Sequence, residues 1–133
     1  MHAGEIVGIA GVSGNGQKEL LAALSGERTL ARAEAVTLCG KRVGKRAAYA
    51  RRRLGLSFVP EERLGRGAVP EMSLADNALL TTCDGALVSH GFIRTKGVRA
   101  FAAKTIARYG VKATGPDAVA RSLSGGNLEK FIV

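Results

Sequence analysis

The chain is 133 residues long and carries 20 Lys and Arg against 11 Asp and Glu, for a formal net charge of +9. This length suits one domain, and 46% hydrophobic with 23% charged residues excludes a disordered tail. The longest uncharged stretch, between Ile6 and Lys18, is glycine-rich and far short of the roughly 20 apolar residues a membrane span needs.

Glu5 to Ala10 is a short apolar run that stops at Gly11, and it reads as a strand buried on both faces, as in a parallel sheet. Glu19 to Leu24 places Leu20, Leu21 and Leu24 on one helical face, with Gly26 as the stop. Ala35 to Gly40 reads as a second strand, Arg46 to Leu54 as a helix, and Leu56 to Val59 as a third strand ended by Pro60. Ser73-Leu74-Ala75-Asp76-Asn77 caps and begins a helix through Leu80. Arg99 to Arg108, with Phe101, Ala102, Ile106 and Tyr109 at helical spacing, reads as an amphipathic helix. Ser122 to Asn127 is a polar glycine-rich turn, and a helix resumes from Leu128 to Val133. The first half is β/α in texture and the second mostly helical.

No charged leader followed by an apolar run opens the chain. Cys39 and Cys83 are two isolated cysteines, which form neither a disulfide framework nor a metal site, so a reducing cytoplasm is expected. Both are expected to be half-buried small apolar residues. Tyr49 and Tyr109 are expected to pack, and His2 and His90 to lie on the surface. The basic balance invites a nucleic-acid reading, since clustered Lys and Arg neutralise phosphates. However, there is no Trp, and only four Phe and two Tyr are available for base stacking. The Arg51-Arg52-Arg53 run is read as a solvated helix face.

The better clue is glycine: eighteen residues, about double the average usage of roughly 7%. Gly11-Val12-Ser13-Gly14-Asn15-Gly16-Gln17-Lys18 lies between the first expected strand and the following helix. Glycines let backbone N–H groups turn inward, and a helix N-terminus adds a positive dipole end, so together they can cradle phosphates. The full pattern is G-x-x-x-x-G-K-[ST], with Lys on the β/γ-phosphates and a hydroxyl on Mg²⁺. Aligned on Gly11 and Gly16, this chain has Gln17 in place of that Lys and Lys18 in place of the hydroxyl. The cradle is kept while the charge and metal hydroxyl are displaced or absent. A tight turn without a ligand remains the plain alternative for this loop alone. A second glycine turn, Leu123-Ser124-Gly125-Gly126-Asn127, also opens a helix, and a serine hydroxyl with two glycine N–H groups there makes a second anion site.

With both turns in view, the sequence resembles the ATP-binding subunits of ABC transporters. Leu123-Ser124-Gly125-Gly126 matches the family signature, and Gly4 to Lys18 matches its first strand and Walker A loop. More narrowly, Gly11 to Gln17, Val59-Pro60-Glu61-Glu62-Arg63, Gly65-Arg66-Gly67 and Met72-Ser73 resemble the second, degenerate nucleotide-binding domain of simple-sugar and nucleoside importers. Leu123 to Lys130 resembles that group's signature region, with Glu129 where Gln is usual. The resemblance covers about residues 4 to 133.

The resemblance implies an α/β P-loop NTPase core, incomplete here, carrying a helical subdomain. Residues 1–70 would supply the first part of the nucleotide-binding core, 71–122 the helical subdomain, and 123–133 the signature turn and the start of the next helix. Gly11, Ser13, Gly14, Asn15, Gly16, Gln17, Lys18 and Glu19 would belong to the ATP phosphate loop of a weakened or non-hydrolytic site. Glu61 would sit at the Q-loop. Leu123, Ser124, Gly125, Gly126 and Asn127 would form the signature that closes on ATP bound to a partner domain. ATP and Mg²⁺ are the implied cofactors, with the Mg²⁺ site weakened or absent. The implied partners are another nucleotide-binding domain, an integral membrane permease and, indirectly, a solute-binding protein, at the cytoplasmic face of the bacterial inner membrane. No nucleic acid is expected.

In this family the acidic Walker B strand with its catalytic glutamate and the switch histidine follow the signature, so no catalytic residue is expected before Val133. An ABC-type ATPase subunit is implied, with this portion alone inactive. Two other functions remain open from the residues: a non-catalytic module that docks a membrane permease, and a basic nucleic-acid-binding domain.

Overall fold

The computed structural model describes residues 2, 4–12, 14–82 and 87–133, so Ser13 and Cys83 lie outside the described residues. The chain divides into two units, Met1–Ser57 and Phe58–Val133.

In the first unit, helix α1 (Gln17–Ser25) runs between two glycines in the left-handed region, Gly16 at φ 92° and Gly26 at φ 86°. Gly26 also has no room for a side chain: a Cβ there would stand 2.8 Å from the Ala48 nitrogen. Strands β1 (Thr37–Leu38) and β2 (Lys41–Arg42) form an antiparallel hairpin, followed by the short helix α2 (Ala48–Arg52).

Several sequence expectations are corrected in this unit. Ala35 to Gly40 is not one strand, because Cys39 (φ 47°) and Gly40 (φ 74°) both enter the left-handed region and turn the chain back on itself. Two consecutive positive-φ residues are the geometry of a two-residue hairpin turn. Cys39 at the tip is therefore exposed rather than half-buried. Arg51 is not part of a solvated face either, since it is fully buried. Its guanidinium donates to the carbonyls of Arg46 (2.9 Å), Leu24 (2.8 Å), Gly44 (3.1 Å) and Ala23. Two of those acceptors are in the last turn of α1, where a helix leaves carbonyls unpaired. Tyr49 is 63% exposed, which corrects its expected packing role.

The expected strand from Glu5 to Ala10 does not form. A continuous apolar run becomes a buried strand only when a sheet supplies neighbours on its edges. The strands among the described residues are four two-residue pieces in two separate hairpins, and none pairs with this run. Ile6 is 97% exposed as a result. Leu56 to Val59 likewise joins no strand. The parallel sheet is thus not formed among the described residues, although the mixed helix-and-strand texture is.

Among the described residues the second unit is built on three α-helices: α3 (Leu74–Thr81), α4 (Thr95–Tyr109) and α5 (Gly125–Ile132). A hairpin of β3 (Val88–Ser89) and β4 (Phe92–Ile93) precedes α4, turning through His90 (φ 51°) and Gly91 (φ 82°). Helix α3 starts where the sequence indicates: the Ser73 hydroxyl accepts from the Asp76 N–H at 3.0 Å. The core joins Leu74, Ala75 and Ala78 of α3, Val98 and Ala102 of α4, Val111, Ala120, and Leu128 and Phe131 of α5. Buried Asn77 ties the preceding loop to α3, accepting from Val69 N–H at 2.7 Å and donating to Val69 and Ser73 carbonyls. Exposed His2 and His90 are on the surface as expected. Tyr109, by contrast, is 41% exposed and carries the Arg108 guanidinium 5.5 Å from its ring centre, so it is only partly packed.

Candidate functional site

In the first unit the glycine loop leads into α1. Gly14 and Gly16 both sit at φ 92°, a conformation favouring glycine. Gly11, Gly14, Asn15, Lys18 and Glu19 are exposed, while Gly16 and Gln17 are partly covered. The Gln17 side chain folds back across the loop. Its Nε2 donates to the Val12 carbonyl at 2.8 Å, and its Oε1 accepts from the Asn15 N–H at 3.1 Å. A Cβ at Gly11 would lie 2.8 Å from that Nε2, so Gly11 leaves the room Gln17 occupies. Glu19 adds a negative charge in the first turn of α1, which suits the helix dipole but opposes a second anion.

In the second unit Glu61 is exposed in the turn that follows Pro60. The Leu123 side chain is half-buried against the core, which anchors the second glycine turn. Ser124 occupies the position before α5 with φ −64° and ψ 153°. Its hydroxyl caps no backbone N–H. Instead it accepts from Asn127 Nδ2 at 2.9 Å, while Asn127 Oδ1 accepts from the Lys112 N–H at 2.9 Å. Asn127 thereby fastens the turn to the segment after α4. Gly125 and Gly126 are exposed and begin the helix, so their N–H groups belong to the unpaired first turn. Leu128 and Phe131 bury the inner face of α5 and fix its direction.

Two features escaped the sequence reading. Arg63 reaches α5, where its Nη2 is 3.3 Å from Glu129 Oε2. A cleft of about 340 Å³ also opens in the second unit, lined by Ala78, Thr81, Phe101, Lys104, Arg108 and Phe131 among others, and no expected site residue lines it. No group of three or more His, Cys, Asp or Glu that could hold a metal occurs among the described residues. No described helix is long and apolar enough to cross a membrane.

Known proteins extend this picture along the whole chain. It is 38% identical over 133 residues to the ribose import ATP-binding protein RbsA of Lacticaseibacillus paracasei, covering 100% of this chain and 26% of that protein. By sequence, the chain is a relative of the sugar- and nucleoside-import ATP-binding proteins. The glucose import ATP-binding protein TsgD13 of Haloferax volcanii is 38% identical, over 98% of this chain and 24% of its own length. The nucleoside import ATP-binding protein NupA of Lactococcus lactis is 34% identical, over 100% and 26%. The chain therefore spans about a quarter of the length of these import proteins. No family model and no solved structure matches it. The resemblance to ABC-transporter ATP-binding subunits, drawn from the glycine turns, agrees with these relatives.

Proposed function

We propose that the chain is an ATP-binding portion of an ABC importer's ATPase subunit, coupling ATP binding and hydrolysis to uptake of a sugar or nucleoside. The observation that carries this reading is the full-length similarity to import ATP-binding proteins. In this reading residues 1–70 belong to a P-loop nucleotide-binding core, 71–122 to a helical subdomain and 123–133 to the signature turn. The subunit works at the cytoplasmic face of the bacterial inner membrane, with a second nucleotide-binding domain, a membrane permease and indirectly a solute-binding protein.

The two glycine turns take different roles. Gly11, Ser13, Gly14, Asn15, Gly16, Gln17, Lys18 and Glu19 form a weakened phosphate loop, and Glu61 stands at the Q-loop. The carboxamide of Gln17 supplies no cation for the β/γ-phosphates, and the ammonium of Lys18 stands where a hydroxyl would meet Mg²⁺. This loop can offer N–H groups to phosphate oxygens, whereas its residues do not fit a metal. Leu123, Ser124, Gly125, Gly126 and Asn127 form the intact signature, which serves ATP held by the partner domain. Phosphoryl transfer needs positioning together with charge stabilisation, so these residues alone bind without hydrolysing.

The test is calorimetric titration of the chain with Mg-ATP and, in parallel, with duplex DNA at two salt concentrations. Nucleotide binding without DNA affinity is expected. Steeply salt-dependent DNA binding and no heat with nucleotide would overturn the reading in favour of a basic nucleic-acid binder.

A further inference from the structure

Apart from Glu61, the Val59–Arg63 segment and its following glycines have no role in that reading, and the backbone shows what they build. Gly67 N–H donates to the Glu62 carbonyl at 3.2 Å, Ala68 N–H to the Arg63 carbonyl at 2.8 Å, and Gly65 N–H to the Ala68 carbonyl at 2.8 Å. Residues 62–68 close into a tight turn in which Gly67 is required, since a Cβ there would stand 2.8 Å from the Arg63 carbonyl oxygen. From this turn the Arg63 side chain reaches α5. A Cβ on Gly125 would lie 3.1 Å from Arg63 Nη1. On the next turn of the same helix face, Glu129 meets the other terminal nitrogen, Nη2, at 3.3 Å.

This location is electrostatically unfavourable for an arginine. A helix N-terminus carries the positive end of the macrodipole and favours anions. The first turn of α5 contains no acidic residue to offset it. A guanidinium held beside that turn therefore adds positive charge to positive charge, and Glu129, about half exposed, screens only part of it. Local rules are broken in this way where function requires it. An anion seated between the Gly125 and Gly126 N–H groups and the guanidinium would relieve both.

We propose that Arg63 is a further anion-contacting residue of the signature turn, meeting the terminal phosphate of a nucleoside triphosphate alongside the Ser124 hydroxyl. This rests on the reading of that turn as phosphate-binding. Ser124 Oγ accepts from Asn127, and as a hydroxyl it keeps one O–H to donate to a phosphate oxygen. Glu129 is the resting counter-ion of Arg63, and the guanidinium exchanges it for the phosphate. A planar fork with five donors can keep one contact while making another. The side chain of Arg63 is 46% exposed, so the exchange needs no rearrangement of the core.

The experiment titrates the chain with sodium tripolyphosphate at fixed ionic strength and follows the Ser124–Gly126 amides by NMR. Losing a charge-assisted hydrogen bond in Arg63→Met is expected to weaken binding about tenfold. Ser124→Ala weakens it as well, and Glu129→Gln, which removes the competing carboxylate, strengthens it about threefold. Lys96→Met, which removes the same unit charge from α4, serves as the control and stays within about twofold of the parent, as a distant screened charge should. If Arg63→Met binds like the parent while Ser124→Ala is weakened, the proposal falls and the phosphate-binding turn stands. Equal loss in Arg63→Met and Lys96→Met also overturns it, as bulk charge. If the parent shifts no amide in the turn, the reading beneath it fails too. Should Arg63→Met lose its dispersed spectrum, Glu129→Gln decides alone: binding unchanged or weaker sinks the proposal.

Discussion

Arg51 Nη1 donates to the carbonyl of Leu24 at 2.8 Å, joining a fully buried guanidinium to the last turn of the helix that follows the glycine loop. Ala23, Gly44 and Arg46 supply the other acceptors, so one side chain ties the end of α1 to the 44–46 loop. The charge is tolerated because a helix C-terminus is the negative end of the macrodipole. Arg51→Met would take this donor from the part-buried Ala23, Leu24 and Arg46 carbonyls, while Gly44 keeps the Leu30 N–H, and the expected loss is about 2–4 kcal/mol of first-unit stability. Arg51→Lys restores three donors on a differently shaped head and should recover only part. Urea unfolding followed by circular dichroism measures both. A Met variant as stable as the parent would show that water reaches these carbonyls.

Cys39 makes the opposite case, a residue whose conformation outweighs its chemistry. At φ 47° it occupies the first position of a two-residue turn in which Asn or Gly is preferred. Cys39→Asn is expected to raise stability by about 0.5–1 kcal/mol, through relief of left-handed strain rather than any new contact. Its thiol is exposed, so a thiol reagent should label the native parent at the rate of a model peptide. Slow labelling that waits on unfolding would contradict the exposed turn.

Ser73 tests the segment that local chemistry determines most fully. Its hydroxyl accepts from Asp76 N–H at 3.0 Å and donates to Asp76 Oδ2 at 2.6 Å. Ser73→Ala removes both and should cost about 1 kcal/mol, whereas Ser73→Asp or Ser73→Asn should cost less. Asn77, one turn further, is buried with every side-chain polar group paired. Asn77→Ala should therefore cost more than the cap, about 2–3 kcal/mol, because the Val69 N–H and carbonyl would lose their partner. Equal losses at the two positions would mean the loop refolds around water.

These cases mark what the sequence makes legible. The helix at Ser73 announces itself by its cap and those after Gly16 and Ser124 by glycines and 3.6-residue spacing, which act within a few residues, although the last begins at Gly125, three residues before the expected Leu128. Arg51 could not be told from Arg52 and Arg53, because its acceptors at Ala23 and Leu24 are distant in sequence and meet it only after folding. The hairpin at Cys39 was missed because cysteine carries no turn signal, although Gly40 beside it does. At the site, both glycine turns were legible as turns that lead into helices. That Gln17 bridges its own loop is a local side-chain conformation the residue type does not announce, and that Arg63 reaches Gly125 follows from tertiary placement.

The apolar run before the glycine loop gives the last prediction. Ile6, Val7, Ile9 and Val12 are exposed, and Leu20, Leu21 and Leu24 of α1 are each at least 40% exposed. Exposed apolar surface of this extent promotes association, and among the described residues the run pairs with no strand, so another chain can add to it. The isolated chain is therefore expected to self-associate as its concentration rises, with light scattering reporting a growing mean mass. Replacing Ile6 and Ile9 by Ser removes apolar area without touching any described core residue, so it should suppress association while leaving the unfolding midpoint within about 0.5 kcal/mol of the parent. A parent that stays monomeric across the concentration series would refute this. If the serine variant instead unfolds more easily, the run is packed in solution and contributes to stability.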